Sequence, residues 1–368
     1  MKKKIFNIIG IVCFFAFMIS FGAACFLREP VDILVSERRK AAQFPEFSIE
    51  SVMDKTFFDD LEEFITDQFP LRDAFRSIKA NIQLRLLNQK DNNGVYTVDG
   101  HISELDSVLN EESVKNAADK LNSVYEKYLS TANAKVYYSV IPDKNYFLAE
   151  KNGYPAMDYE KMLDIYTSSV KNMEYIDIFD CLEADSYFKT DSHWKQEKLD
   201  AVIGRFSEKM GFTAKPVNTY SAETIPDFKG VYAPRLAMES LSDEIICLSS
   251  EATNKASVFN LETNKTTIGV YDRAKLSGND KYDVFLSGAA ALLTVENPLA
   301  ESEKELVIFR DSFGSSLAPL MLEGYSKITL VDLRYISSQI IGEYVDFENS
   351  DILFIYNTQI LNESTMLK

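Results

Sequence analysis

Glu305-Leu306-Val307-Ile308-Phe309-Arg310-Asp311-Ser312-Phe313-Gly314 reads as a buried strand that runs out into a polar turn carrying a serine. The spacing predicts a helix over Ser315–Leu322 directly behind it, with Ser315 or Ser316 as its cap and Pro319 in an early turn. A strand followed at once by a helix is the unit from which parallel sheets are built, and the chain repeats it. Lys135–Ile141, Tyr175–Ile178, Tyr282–Leu286, Lys327–Val331 and Asp351–Tyr356 are short β-branched or aromatic strands. Glu111–Leu129, Tyr159–Val170, Trp194–Met210 and Ile336–Val345 are the helices among them. The expected fold is α/β, a doubly wound parallel sheet covered on both faces. Ser312 then stands at the carboxyl end of a parallel strand, where such folds place ligands, beside a helix N-terminus suited to developing negative charge.

Working outward, Asn92-Asn93-Gly94 is a turn, and Val95–Val98, Asp99-Gly100, His101-Ile102 form a hairpin that opens the globular part at about residue 93. The stretch from about 212 to 278 is less regular, an inserted small sheet or long loops. Residues 29–92 are charge-rich. Phe57, Leu61, Phe64 and Ile65, then Leu71, Phe75, Ile78, Ile82 and Leu86, recur at helical spacing and predict an amphipathic stalk broken at Pro70.

Lys2, Lys3 and Lys4 precede an apolar run from Ile5 to Leu27, roughly 34 Å long as a helix and enough to cross a bilayer. The lysines keep the N-terminus in the cytoplasm and export everything after Arg28. A cleaved signal peptide, or a lipoprotein box at Gly22-Ala23-Ala24-Cys25, exports the body equally; the length of the run favours an uncleaved single-pass anchor over residues 1–28.

The 368 residues carry 39 Lys plus Arg against 56 Asp plus Glu, a net charge of -17 that excludes general nucleic-acid binding. Two histidines and four cysteines exclude zinc-finger and disulfide-scaffold readings, and no metal or cofactor motif is present. Cys181 and Cys247, outside the apolar run, form one disulfide or stay as two separate thiols.

A serine hydroxyl needs a base, and only His101 and His193 are available. His101 falls at a hairpin tip and reads as a surface residue. His193 lies in Tyr187-Phe188-Lys189-Thr190-Asp191-Ser192-His193-Trp194, where Asp191 is placed to hold the other ring nitrogen. Thr190 and Trp194 support that turn.

Thr190-Asp191-Ser192-His193-Trp194 and Phe309-Arg310-Asp311-Ser312-Phe313 resemble the signature and nucleophile stretches of the DHHW family of exported Gram-positive proteins. That family is related to the alginate O-acetylation proteins AlgJ and AlgX, whose catalytic domain is SGNH-hydrolase-like. Val140-Ile141-Pro142-Asp143-Lys144, Val284-Phe285-Leu286-Ser287-Gly288 and Val331-Asp332-Leu333-Arg334-Tyr335 match lesser family patterns, so the resemblance spans about residue 55 to the end.

It implies a triad of Ser312, His193 and Asp191 acting on an ester, typically an O-acetyl group. A surface polysaccharide would be the acceptor and a multi-pass membrane O-acyltransferase the acetyl source. Gly288, Trp194, Lys144, Arg334 and Tyr335 are candidate substrate contacts. Two positions depart from the pattern. Ser192 replaces the signature's first histidine, which is not the base. Ser287-Gly288-Ala289 stands where the family has Gly-Gly-Asn, so Ala289 cannot donate to an oxyanion; backbone N–H groups of Ser312 and Gly288 are left for that task. A non-catalytic carbohydrate-binding or assembly subunit is the competing expectation.

Overall fold

The computed structural model describes residues 2–37, 39–238 and 241–368. The chain divides into two compact units, Met1–Asn92 with Pro234–Glu239, and Asn93–Ala233 with Ser240–Lys368.

The first unit is helical. Helix α1 (Lys2–Leu27) contains, over Lys4–Leu27, the one helix among the described residues long and apolar enough to cross a membrane. Helices α2 (Thr56–Asp67) and α3 (Arg72–Asn81) follow, separated at Pro70 as the spacing predicts, and α3 continues into a wider π turn over Ile82–Leu86. Phe26 of α1 packs against Phe64 and Phe44, while buried Asp67 takes both guanidinium nitrogens of Arg39 at 2.6 Å.

The second unit is a mixed α/β domain around one eight-stranded sheet. Its strands are β1 (Lys135–Ile141), β2 (Glu174–Tyr175), β3 (Ser257–Asn260), β4 (Lys265–Ile268), β5 (Leu292–Glu296), β6 (Glu305–Arg310), β7 (Lys327–Val331) and β8 (Ser350–Asn357). They lie in the order β4-β3-β5-β7-β6-β8-β1-β2. The five strands from β7 to β2 are parallel, and β8 is central and buried at every residue, so its middle, Ile352 to Tyr356, reads as a continuous apolar run. Helices α4 (Glu111–Val124) and α5 (Tyr159–Ser169) cover one face, and α6 (Asp200–Met210) and α7 (Gly314–Met321) the other.

Several expectations need correction. The α/β fold with a mostly parallel sheet is as expected, and what the expectation lacks is the edge, where β5, β3 and β4 extend it antiparallel. The stretch from 212 to 278 supplies β3, β4 and a separate hairpin, Ser221–Phe228 with Asp243–Ser249. Tyr282–Leu286 is no strand. The Asp280 carboxylate accepts the Tyr282 N–H and starts a 3₁₀ turn over Lys281–Val284. Ile336–Val345 holds only a 3₁₀ turn at Ile341–Glu343, because the Ser337 hydroxyl accepts the Gln339 N–H in place of a helical carbonyl. The helix expected from Trp194 begins at Asp200, and Trp194 instead bridges to Tyr187. His101 is buried: the turn is Asp99-Gly100, both at positive φ, and His101 opens the return strand with Nε2 3.2 Å from Asp185. Cys181 and Cys247 are both free thiols.

Candidate active site

Parallel strands deliver Pro142-Asp143, Asp311-Ser312, Asp332 and Asn357 to the carboxyl edge of the sheet. Ser312 leaves β6 in a tight turn in which Asp311 accepts the Phe313 N–H at 2.9 Å and, through its other oxygen, the Asn357 N–H at 2.7 Å. A Cβ on Gly314 would lie 2.6 Å from Arg310 Cβ, so only glycine lets α7 close this tightly on the strand. Helix α7 starts at Gly314, which places Ser315 and Ser316 inside its first turn, not at its cap. Ser312 itself stays partly exposed.

His193 Nε2 lies 2.7 Å from Ser312 Oγ, and His193 Nδ1 lies 2.5 Å from Asp191 Oδ1. Asp191 is wholly buried and accepts two further N–H groups, from His193 at 3.0 Å and Val231 at 2.8 Å. Burial alone would raise its pKa, but His193 and the three donors outweigh it and hold the carboxyl well below its ordinary range. A depressed carboxyl contributes its stability in full above its unfolded pKa of about 4 and loses it only in stronger acid. A carboxylate against Nδ1 keeps the proton there and leaves the Nε2 lone pair facing Ser312.

The turn carrying Asp191 and His193 is clamped from two sides. Asp243 accepts the N–H groups of Lys189 and Thr190 at 2.8 Å each and the Thr190 hydroxyl at 2.6 Å. Opposite it, buried Lys144 donates from Nζ to the carbonyls of Phe188 and Asp191 at 2.8 Å and of Lys189 at 3.3 Å. Burial pushes the Lys144 pKa down to about 7. Three carbonyl acceptors nevertheless match the three donors of an ammonium, so Lys144 belongs to the frame of the turn and not to a substrate surface. Lys144→Met should strip two to three carbonyls of their donor at about 1–3 kcal/mol each and lower the thermal midpoint by about 5 °C or more.

Gly230 closes the same turn from above. A Cβ there would fall 2.2 Å from Asp191 Cβ and 2.5 Å from Asp191 Cα and the Thr190 carbonyl oxygen. Backbone atoms cannot swing aside, so Gly230→Ala must displace Asp191. We expect any chemistry that depends on the Asp191–His193 pair to fall about a hundredfold while the folded chain persists by circular dichroism, since a misplacement of about 1 Å is enough for that loss.

The other candidate contacts divide. Trp194 is fully buried; its Nε1 donates to Ser316 Oγ at 2.9 Å and its ring meets Phe313 edge-on, so it braces α7 and does not line a cleft. Arg334 is bound through Nε and Nη2 to Asp332 at 2.9 and 2.7 Å, and its guanidinium lies over the half-exposed Tyr335 ring. Of the oxyanion donors, Gly288 is taken, because its N–H donates to the Phe285 carbonyl at 3.1 Å. Its glycine is required for another reason: φ is +84°, and a Cβ would lie 2.2 Å from Asp283 Oδ1. Ala289 is exposed. The Ser312 N–H has no hydrogen-bond partner among the described residues.

Four residues of the site escape sequence reasoning. Tyr282 stacks on the His193 ring, centroids 3.8 Å apart and planes within 12°, with its hydroxyl on Ser316 Oγ at 2.9 Å. Arg310 is buried under the turn with Nη1 3.8 Å from Asp332. Asp243 and Gly230 reach the turn from 40 to 53 residues away. An Asp or Gly in an irregular stretch carries no signal of that distance; only the Asp-Phe-Lys-Gly turn around Gly230 hints at a special backbone position.

Ser312, His193 and Asp191 thus stand in hydrogen-bonded series at the carboxyl edge of the α/β sheet. The chain belongs to the DHHW family, whose model, described as DHHW protein, matches residues 37–135 and 129–331. Among solved structures it is similar to a DHHW family protein from Eubacterium siraeum (TM-score 0.62, 23% identity, 76% of this chain and 97% of that one). It is also similar to Bacillus cereus PatB1 with a sulfonyl adduct (TM-score 0.60, 15% identity, 73% and 95%). A more distant likeness is to the O-acetyltransferase domain of Pseudomonas putida AlgJ (TM-score 0.44, 11% identity, 73% and 92%). At these identities the likeness is one of fold. The search of curated proteins gives no match.

Proposed function

We propose that the protein is a membrane-anchored, extracellular O-acetyltransferase or acetylesterase acting on a surface or exported polysaccharide. The observation that carries this reading is the series Ser312–His193–Asp191, at 2.7 and 2.5 Å, on a partly exposed serine. In the first half-reaction Ser312 Oγ attacks the acetyl carbonyl as His193 Nε2 takes its proton. The tetrahedral oxyanion forms beside the open Ser312 N–H at the start of α7. It collapses to an acetyl-serine as His193 returns the proton to the leaving oxygen. In the second, a sugar hydroxyl or water gives its proton to His193, attacks the acetyl-serine and restores Ser312. The acetyl group and the polysaccharide rest on the sequence resemblance; export rests on the lysines before α1. A membrane acyltransferase as acetyl donor belongs to the same reading.

A second reading, a non-catalytic carbohydrate-binding or assembly subunit, is favoured by one observation: position 289 has no side-chain donor and the Gly288 N–H is already bonded. The two readings part on hydrolysis of p-nitrophenyl acetate by the full chain in detergent. Catalysis predicts slow turnover, raised about ten- to a hundredfold by Ala289→Asn as the new amide reaches the oxyanion. A chain that is inert, and stays inert with Ala289→Asn while still binding polysaccharide, fits the second reading.

A further inference from the structure

Helix α3 and the π turn behind it have two apolar sides. Ala80, on one, is fully buried. On the other, Leu71, Phe75, Ile78, Ile82 and Leu86 fall along a single stripe at helical spacing, and every one is exposed, from 41% for Phe75 to 73% for Leu86. A stripe of this size in water marks a surface with a partner. Phe75 packs edge-on against Phe21 of α1 with centroids 6.0 Å apart, and Phe69 stacks on the same ring at 5.4 Å. Phe21 lies inside the apolar run, six residues or about 9 Å before α1 ends at Leu27. The 24-residue run is about 36 Å long against a hydrocarbon core of about 30 Å, so its last turns reach the polar boundary of a bilayer. The stripe therefore begins at the depth of that boundary. Lys79 and Arg85 flank it and form no ion pair among the described residues, which suits them to headgroup phosphates.

We propose that α3 and its π turn lie on the phospholipid surface from which α1 emerges, with the Phe75–Leu86 stripe sunk into the headgroup and acyl boundary as a second, peripheral membrane contact. This rests on the reading of α1 as a membrane span. The occupant is an anionic bilayer surface; a second copy of the chain is the rival.

The test uses the full chain in phosphatidylcholine–phosphatidylglycerol vesicles, with and without brominated phosphatidylcholine, which quenches tryptophan on contact. Trp194 is the chain's single tryptophan and is fully buried, so the parent protein sets a baseline. Val12→Trp reports on the span, and Ile82→Trp and Ile78→Trp on the stripe. The expected result is quenching of both stripe variants at least half as strong as that of Val12→Trp. Quenching of Val12→Trp with neither stripe variant quenched, whether their emission is that of a wet or a protein-covered indole, overturns the peripheral contact and leaves the anchor standing. No quenching at Val12→Trp removes the span and the proposal with it.

Discussion

Ser312→Ala is expected to bring p-nitrophenyl acetate hydrolysis down to the rate without protein. The loss should be the largest of any single substitution, because no other hydroxyl lies within reach of His193 Nε2 among the described residues. The chain should fold as before: Ser312 is partly exposed, and its Oγ makes a hydrogen bond only to His193. Equal thermal midpoints with turnover at background is the predicted pair of results. His193→Ala should fall almost as far and the double substitution no further, since residues that act as a unit do not lose activity additively. Retained hydrolysis in Ser312→Ala would place the chemistry elsewhere.

Asp191→Asn should cost on the order of 10³- to 10⁴-fold in kcat. The Asp191 carboxylate faces three N–H donors and gives none: His193 Nδ1 and the His193 N–H on Oδ1, the Val231 N–H on Oδ2. An amide of the same shape must turn its NH₂ toward one of those sets. Turned toward Val231, it sets donor against donor in a buried site. Turned toward His193, it leaves Nδ1 as the acceptor and moves the ring proton to Nε2, which then faces Ser312 with no lone pair to offer. The kinetic loss is therefore far larger than the stability loss, and the ratio of the two separates this role from a structural one. Comparable losses in turnover and in folding would count against it.

The central strands are legible in the sequence because burial on both faces makes their middles almost wholly apolar, β-branched or aromatic. Lys135–Ile141 and Lys327–Val331 are read to the residue, and Glu305–Arg310 to within one. The antiparallel edge is not legible. Lys265-Thr266-Thr267-Ile268 is exposed at every position and carries no period that a strand would impose. Tyr282–Leu286 misleads in the opposite sense: its apolar run serves a capped turn whose tyrosine covers the His193 ring, a tertiary use that looks like a strand. In the site, a chain with two histidines exposes His193 and its neighbour Asp191 at once, and the strand-to-helix turn exposes Ser312. What stays hidden is the frame. Asp243, Gly230 and Lys144 meet the turn only after the chain has folded back over about 40 to 53 residues, and the buried ammonium of Lys144 looks in sequence like any lysine near a strand end.

The claim that Ser312 is an activated acyl acceptor is tested most directly by peptide mass spectrometry of the full chain after brief reaction with p-nitrophenyl acetate and an acid quench. The predicted result is one acetyl group on the peptide bearing Ser312, absent in Ser312→Ala and strongly reduced in His193→Ala, because the base that activates the hydroxyl is gone. Acetylation confined to lysines, and unchanged by either substitution, would contradict it.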